Sequence, residues 1–210
     1  MTEPGCFISL EGGEGAGKST LADALEERLH EAGRDVLRTR EPGGTHFGEA
    51  VRAVVLDPAH PDVSPWAELF LMLAARSQLV YESIRPALAE GRVVLCDRFA
   101  DASVAYQGVA RGLGFEAVRE LNRRATGGCM PALTLFLDLD PRTGRARQSG
   151  EADRMEREEL DFHDRVRDGY RQVAAAEPDR VRTIDASRTA TEVLEEAWRH
   201  VAVVTGCKRS

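Results

Sequence analysis

The stretch GGEGAGKST, residues 12–20, sets Gly12, four intervening residues, Gly17, Lys18 and Ser19 in the spacing of a phosphate-binding loop. Glycine suits that task because backbone N–H groups converge on phosphate oxygens only where no Cβ blocks the approach. In this pattern Gly12, Gly13, Glu14, Gly15, Ala16 and Gly17 form the cradle. Lys18 reaches the β- and γ-phosphates, the Ser19 hydroxyl ligates Mg²⁺, and Thr20 completes the nucleotide-binding run. Composition singles out the lysine, because of 28 basic residues only Lys18 and Lys208 are lysines. A compact ammonium on a flexible stem fits among phosphate oxygens where a planar guanidinium does not. Asp97 and Arg98 form a second candidate pair. A carboxylate at the C-terminal end of a strand can hold the Mg²⁺ shell, and the adjacent arginine can grip a phosphate bidentately.

These groups need elements to hold them. CFISLE (6–11) reads as a buried strand running into the glycines, and Leu21, Leu25 and Leu29 repeat at helical spacing until Gly33. VLRTR (36–40) is a second strand, broken by EPGG. A long helical pattern covers 65–89 through Leu69, Leu73, Val80, Ile84 and Leu88. RVVLCD (92–97) and LTLFLDL (133–139) are further β-rich apolar runs. A polar, arginine-rich stretch occupies 142–158. Helices over 159–176 and 189–204 flank a short strand from Val181 to Ile184. Strands alternating with helices predict an α/β fold whose mainly parallel sheet is covered on both faces. With no repeat, low-complexity tract or linker, residues 1–210 read as one domain.

The net charge of −7 argues against a broad nucleic-acid or membrane-binding face, which needs cationic surface. Cys6, Cys96, Cys129 and Cys207 are scattered, with no C-x-x-C pair to suggest zinc or redox chemistry. Cys6 and Cys96 lie in apolar runs and read as small core hydrophobes. No charged-then-apolar leader opens the chain and no apolar run approaches 18 residues, so a reduced, cytoplasmic protein is expected. The loop alone suits GTPases, motor ATPases and kinases. The D-x-x-G and N-K-x-D segments expected of a GTPase are missing from the sequence.

Beyond the loop, the chain resembles bacterial thymidylate kinases, which transfer the γ-phosphoryl of ATP to dTMP. The matching stretches are LEGGEGAGKST (10–20), TREPGGT (39–45), AARSQLV (74–80), DRFADASVAYQG and the VARG after it (97–112), LFLDLDP (135–141) and GEADRMERE (150–158). This resemblance implies a P-loop three-layer fold with a five-stranded parallel sheet, a mobile lid at about 142–158 and a homodimer packed through helices. ATP and Mg²⁺ are the implied cofactors and dTMP the implied partner. Glu14 matches the acid that contacts the sugar 3′-hydroxyl, and Arg98, with Arg52 second, the arginine on the acceptor phosphate. Arg76, Ser103 and Gln107 match base-facing positions, and Tyr106 the aromatic under the deoxyribose. Glu41 and Pro42 form a stiff bend by the acceptor site, where the family tends to carry an unusual proline peptide. In the lid, Arg147 and Arg154, with Arg145 behind them, match the extra catalytic arginine.

Two positions depart from the family. Met72 stands where a phenylalanine usually stacks on thymine, and Ser149 where an arginine often precedes the lid's Gly-Glu. Met72 keeps open a kinase for another pyrimidine monophosphate, and Ser149 a nucleotide-binding module without turnover.

Overall fold

The computed structural model describes residues 4–148 and 151–208. β1 (Cys6–Gly12) is buried along its whole length because it is the middle strand of a parallel sheet. Around it run β2 (Val36–Arg40), β3 (Val93–Asp97), β4 (Leu133–Asp138) and β5 (Val181–Asp185), in the order β2-β3-β1-β4-β5. Alternate residues of each strand face opposite sides. Ile8, Leu10, Leu95, Leu135 and Ile184 share one core with Leu25 and Leu29 of α1 (Lys18–Glu31) and Trp198 of α9 (Ala190–Thr205).

The other face is covered by two clusters. Phe7, Val94 and Cys96 meet Leu79, Ile84 and Phe99, while Phe136 meets Val166 and Tyr170 of α8 (Leu160–Ala176). Three layers result, and Cys6 and Cys96 lie in the core as their apolar surroundings suggest. Ser9, Thr134 and Asp101, buried on this face, are paired: Ser9 Oγ lies 2.7 Å from Thr134 Oγ1, which donates to Asp101 at 3.0 Å.

Every strand and helix expected from the sequence is present, with some shifts in extent. The 65–89 pattern is α3 (Pro65–Leu79), a π-helical segment (Val80–Ile84) and α4 (Arg85–Ala89). Pro86 lies just past that segment, offering no N–H and crowding the carbonyl four residues back. The wider turn is closed by Arg85 N–H donating to Val80 O.

Four helical regions had no signal in the sequence reading. They are α2 (His46–Val55), α5 (Ala100–Ser103) with the π segment Val104–Ala110, α6 (Phe115–Ala125) and α7 (Pro141–Arg147). The arginine-rich 142–158 stretch is therefore a short helix capped by Asp140, followed by turns; Ser149 and Gly150 fall outside the described residues. Among the described residues no helix is long and apolar enough to cross a membrane.

Candidate active site

Parallel pairing brings the C-terminal ends of three strands level, with Leu10 opposite Asp97 and Asp97 opposite Arg40. The phosphate loop leaves β1 at this edge and enters α1 through Gly17, whose φ is 90°. No side chain caps α1 among the described residues, so its first N–H groups remain for an anion. Gly15 and Gly144 are needed for a close backbone approach. A Cβ on Gly15 would lie 2.2 Å from Gly144 O, and one on Gly144 would lie 2.2 Å from Glu14 O. Thus α7, at the start of the arginine-rich 142–158 stretch, rests directly on the loop.

Lys18 is buried, and its Nζ donates to Gly12 O at 3.2 Å and Gly13 O at 2.9 Å. Burial lowers its pKa and neighbouring Arg98 lowers it further, against the pull of Glu14, Asp97 and Glu11. Ser19 and Thr20 line the adjoining cavity.

Arg98 follows β3 with a φ of 67°, a left-handed conformation that few non-glycine residues adopt. Its N–H donates to Leu10 O at 2.9 Å, which fixes it to the central strand. The guanidinium donates to Gly12 O at 2.8 Å, to Tyr170 Oη at 3.1 Å and to the Glu14 carboxylate. It also lies 5.3 Å over the Tyr106 ring. Burial pushes the Glu14 pKa up, but Arg98, Lys18 and His163 together bring it down to about 2. Beneath this pair Glu11, fully buried, accepts from Phe99 N–H at 2.7 Å and Tyr170 O–H at 2.9 Å. Burial, reinforced by Asp101, raises the Glu11 pKa to about 8.

At one end of the cavity, Glu68, Met72 and Arg76 recur every four residues on one face of α3. Arg76 is 2% exposed and donates four hydrogen bonds. Its Nε donates to Glu41 at 2.7 Å, one terminal nitrogen to Ser103 Oγ at 2.9 Å and to Asn122, and the other to Phe99 O at 3.0 Å, with that last nitrogen also 2.6 Å from the Glu41 carboxylate as an ion pair. It therefore braces this wall of the cavity as well as lining it. Burial raises the Glu41 pKa to about 6 against the pull of Arg76, and the Glu41–Pro42 peptide is cis. Arg52 donates to Pro42 O at 3.0 Å. Gln107, on the π segment, donates from Nε2 to Glu68 at 2.8 Å. Met72 lines the cavity, whereas Phe70, 55% exposed, faces away.

Arg147 and Arg154, both expected in a lid, part company. Arg147 donates to Ala186 O at 3.2 Å and lines the opposite end, beside Arg188, Thr191 and Leu194 at the β5–α9 junction. Arg154 is buried, donating to Val55 O at 2.8 Å and to Glu68 at 2.6 Å, and it is not among the cavity-lining residues. Arg154, expected to carry charge to the transferring phosphoryl, is held here on Glu68 and Val55, where a carboxylate compensates the desolvation of a buried guanidinium. Arg145, exposed, borders a smaller hollow with His163. Between the two ends the cavity measures about 1020 Å³ and passes over Lys18, Asp97 and Arg98.

This chain, with its phosphate loop and the Asp97-Arg98 pair at a strand end, is matched by the thymidylate kinase family model over residues 10–197. The chain belongs to the thymidylate kinase family. It is similar to the thymidylate kinase of Deinococcus radiodurans, 51% identical over 200 residues, covering 94% of this chain and 97% of that protein. The thymidylate kinase of Halalkalibacterium halodurans is 47% identical over 201 residues, covering 94% and 96% of the two chains. Among solved structures, the crystal structure of thymidylate kinase from Ehrlichia chaffeensis matches with a TM-score of 0.77 and 30% identity, covering 94% of this chain and 99% of that one. As a thymidylate kinase family member the chain is a nucleoside monophosphate kinase.

For this family member the structure gathers Gly12 to Thr20, Glu41, Pro42, Arg52, Met72, Arg76, Asp97, Arg98, Ser103, Tyr106, Gln107 and Arg147 around the C-terminal edge of the sheet, whereas Arg145 and Arg154 do not line this cavity. Sequence reasoning missed Glu11, Glu68, Asn122 and Tyr170. Glu68 had a usable signal, since it precedes Met72 and Arg76 at intervals of four. Asn122 and Tyr170 had none, because their partners are distant in the chain.

Proposed function

We propose that this protein transfers the γ-phosphoryl of ATP to dTMP, giving dTDP and ADP. The observation that carries this reading is the continuous cavity of about 1020 Å³, lined by Met72, Ser103 and Gln107, by Lys18, Asp97 and Arg98 of the phosphate-loop region, and by Arg147 and Arg188. The acceptor phosphate oxygen attacks the γ-phosphorus as the bond to the β,γ-bridging oxygen breaks, and ADP leaves with that electron pair. A phosphate nucleophile at neutral pH needs no general base. What the chain supplies is position and positive charge.

Lys18 and the loop N–H groups hold the donor phosphates, while Arg98, with Arg52 near it, holds the acceptor phosphate. For Arg98 to do so it exchanges Glu14 for phosphate, which frees Glu14 to accept from the sugar 3′-hydroxyl. Tyr106 supports the sugar, and Ser103 and Gln107 face the base. Arg147 is assigned to the donor nucleotide, as its place by Ala186 supports.

Asp97 and Ser19 would hold Mg²⁺. Asp97 Oδ1 is buried with no hydrogen-bond partner, and Ser19 lines the same cavity. Two protein oxygens suit an ion that keeps water and phosphate ligands, and among the described residues no cluster of three or more His, Cys, Asp or Glu offers an all-protein site. Bound with ATP, the ion neutralises charge on the transferring phosphates.

We infer further that two copies pair through α2 and α3, where Phe47, Val54, Trp66 and Phe70 are all close to half exposed or more. Met72 gives a specific reason to consider another pyrimidine monophosphate, since a flexible thioether selects ring shape less sharply than an aromatic face. A coupled ADP-release assay with dTMP, dUMP and dCMP tests both readings. dTMP is expected to rank first; dTMP ranking last would replace it as substrate, and binding without ADP release would leave a non-catalytic module.

A further inference from the structure

Glu68 is fully buried and does not line the cavity, yet three side chains from two other segments, the π segment with its cap and the stretch after α7, converge on its carboxylate. Gln107 Nε2 donates to Oε1 at 2.8 Å. Arg154 donates to Oε2 at 2.6 Å and Arg111 at 3.2 Å. Arg111 continues the chain of contacts to Glu158 at 2.6 Å. Arg154 is further fixed by its own backbone, whose N–H donates to Leu56 O at 3.1 Å. The lid segment beyond residue 150 and the base-facing amide thus hang on one carboxylate of α3.

A carboxylate accepts hydrogen bonds and donates none. The amide group facing Glu68 must therefore be the NH₂ of Gln107, which turns Oε1 away from Glu68. That oxygen receives no hydrogen bond from the described residues, while Gln107 lines the cavity. The pocket consequently offers an acceptor where a free amide could offer either sense. An acceptor suits a base with an N–H at N3, as in thymine or uracil, and opposes the bare N3 of cytosine. A site organised to hydrogen-bond one group rejects analogues that leave its polar atoms unpaired.

We propose that Glu68 is the positioning residue for base selection: it fixes the Gln107 amide with its oxygen toward the acceptor base and ties that orientation to the lid through Arg154. This rests on the proposed dTMP kinase activity. Glu68 acts through Gln107 and touches neither nucleotide.

The test compares kcat/KM for dTMP and dCMP in the wild type, Glu68→Gln, Glu68→Asp and Gln107→Ala, with thermal unfolding of each. Glu68→Gln keeps size but can donate as well as accept, so the Gln107 amide loses its fixed sense. The dTMP-to-dCMP ratio should fall at least tenfold, toward that of Gln107→Ala. Glu68→Asp retains the charge opposite both arginines but withdraws its reach; it should lower the ratio too, and it carries the test if Glu68→Gln does not fold. A merely structural role would reduce both substrates together and leave the ratio unchanged. An unchanged ratio in a folded Glu68 variant, or in Gln107→Ala, overturns the inference. A wild type that ranks dTMP last overturns the proposed activity instead, and the two failures are told apart by which protein shows them.

Discussion

Replacing Gly144 with alanine should disable phosphoryl transfer without unfolding the protein. The added Cβ would lie 2.2 Å from Glu14 O, and real Cβ atoms essentially never come within 3.0 Å of a neighbour. Backbone must part from backbone by at least 0.8 Å, the difference between these distances. No rotamer can relieve the contact, because both partners are main chain. Either α7 lifts or the phosphate loop sinks, so the loop N–H groups and the lid base no longer share one geometry. A misplacement near 1 Å at a reacting centre costs on the order of 100-fold. That corresponds to about 2.7 kcal/mol of transition-state stabilisation. Against this, alanine inside a helix is favoured over glycine by up to about 1 kcal/mol, which offsets part of the strain in α7. Stability and activity should therefore separate: kcat/KM for ATP falls about 100-fold in a coupled ADP-release assay, while Tm changes little. Gly15→Ala meets Gly144 O at the same 2.2 Å and adds a φ of 67°, so it should be at least as damaging. A Gly144→Ala enzyme within twofold of wild type would show that the loop and α7 move independently, and the reasoning would be wrong.

Glu11→Gln should flatten the pH dependence of stability. Burial raises the folded-state pKa of Glu11 to about 8 from 4.5, so its contribution is fully present below the unfolded value and is lost as pH rises through about 8. The variant should gain Tm relative to wild type between pH 5 and 9, and parallel profiles would refute this. Arg147→Ala should raise the KM for ATP more than it lowers kcat, because Arg147 lies at the β5–α9 end and is held by Ala186; a kcat effect alone would return it to the transferring phosphoryl. Phe70→Glu should convert a dimer to monomer in light scattering, since that half-exposed ring has no core role; a monomeric wild type would remove the α2–α3 pairing.

Much of the site was legible in the chain because it is made of consecutive residues. A phosphate loop is a strand end, a glycine run and a helix start, and its spacing is fixed by local backbone geometry. Asp97 and Arg98 announced themselves in the same way, at the end of an apolar run. Short or amphipathic helices such as α2 and α6 were less readable, because only Gly48, Val51 and Val55 of the first and Val118 and Asn122 of the second are buried. Two π segments escaped as well, since widened turns break the 3.6-residue rhythm.

Sequence by itself determined the sheet, the phosphate loop, the family and the roster of charged groups. Tertiary structure decided which charges face the cavity and which face each other. Arg147 and Arg154 are seven residues apart in one arginine-rich stretch, yet one borders the cavity beside the β5–α9 junction and the other is buried on Glu68. Arg76 joins Glu41, Phe99, Ser103 and Asn122 from four places along the chain. A buried charge must find compensation wherever the fold puts a carboxylate or carbonyl, and that choice is made across space rather than along the sequence.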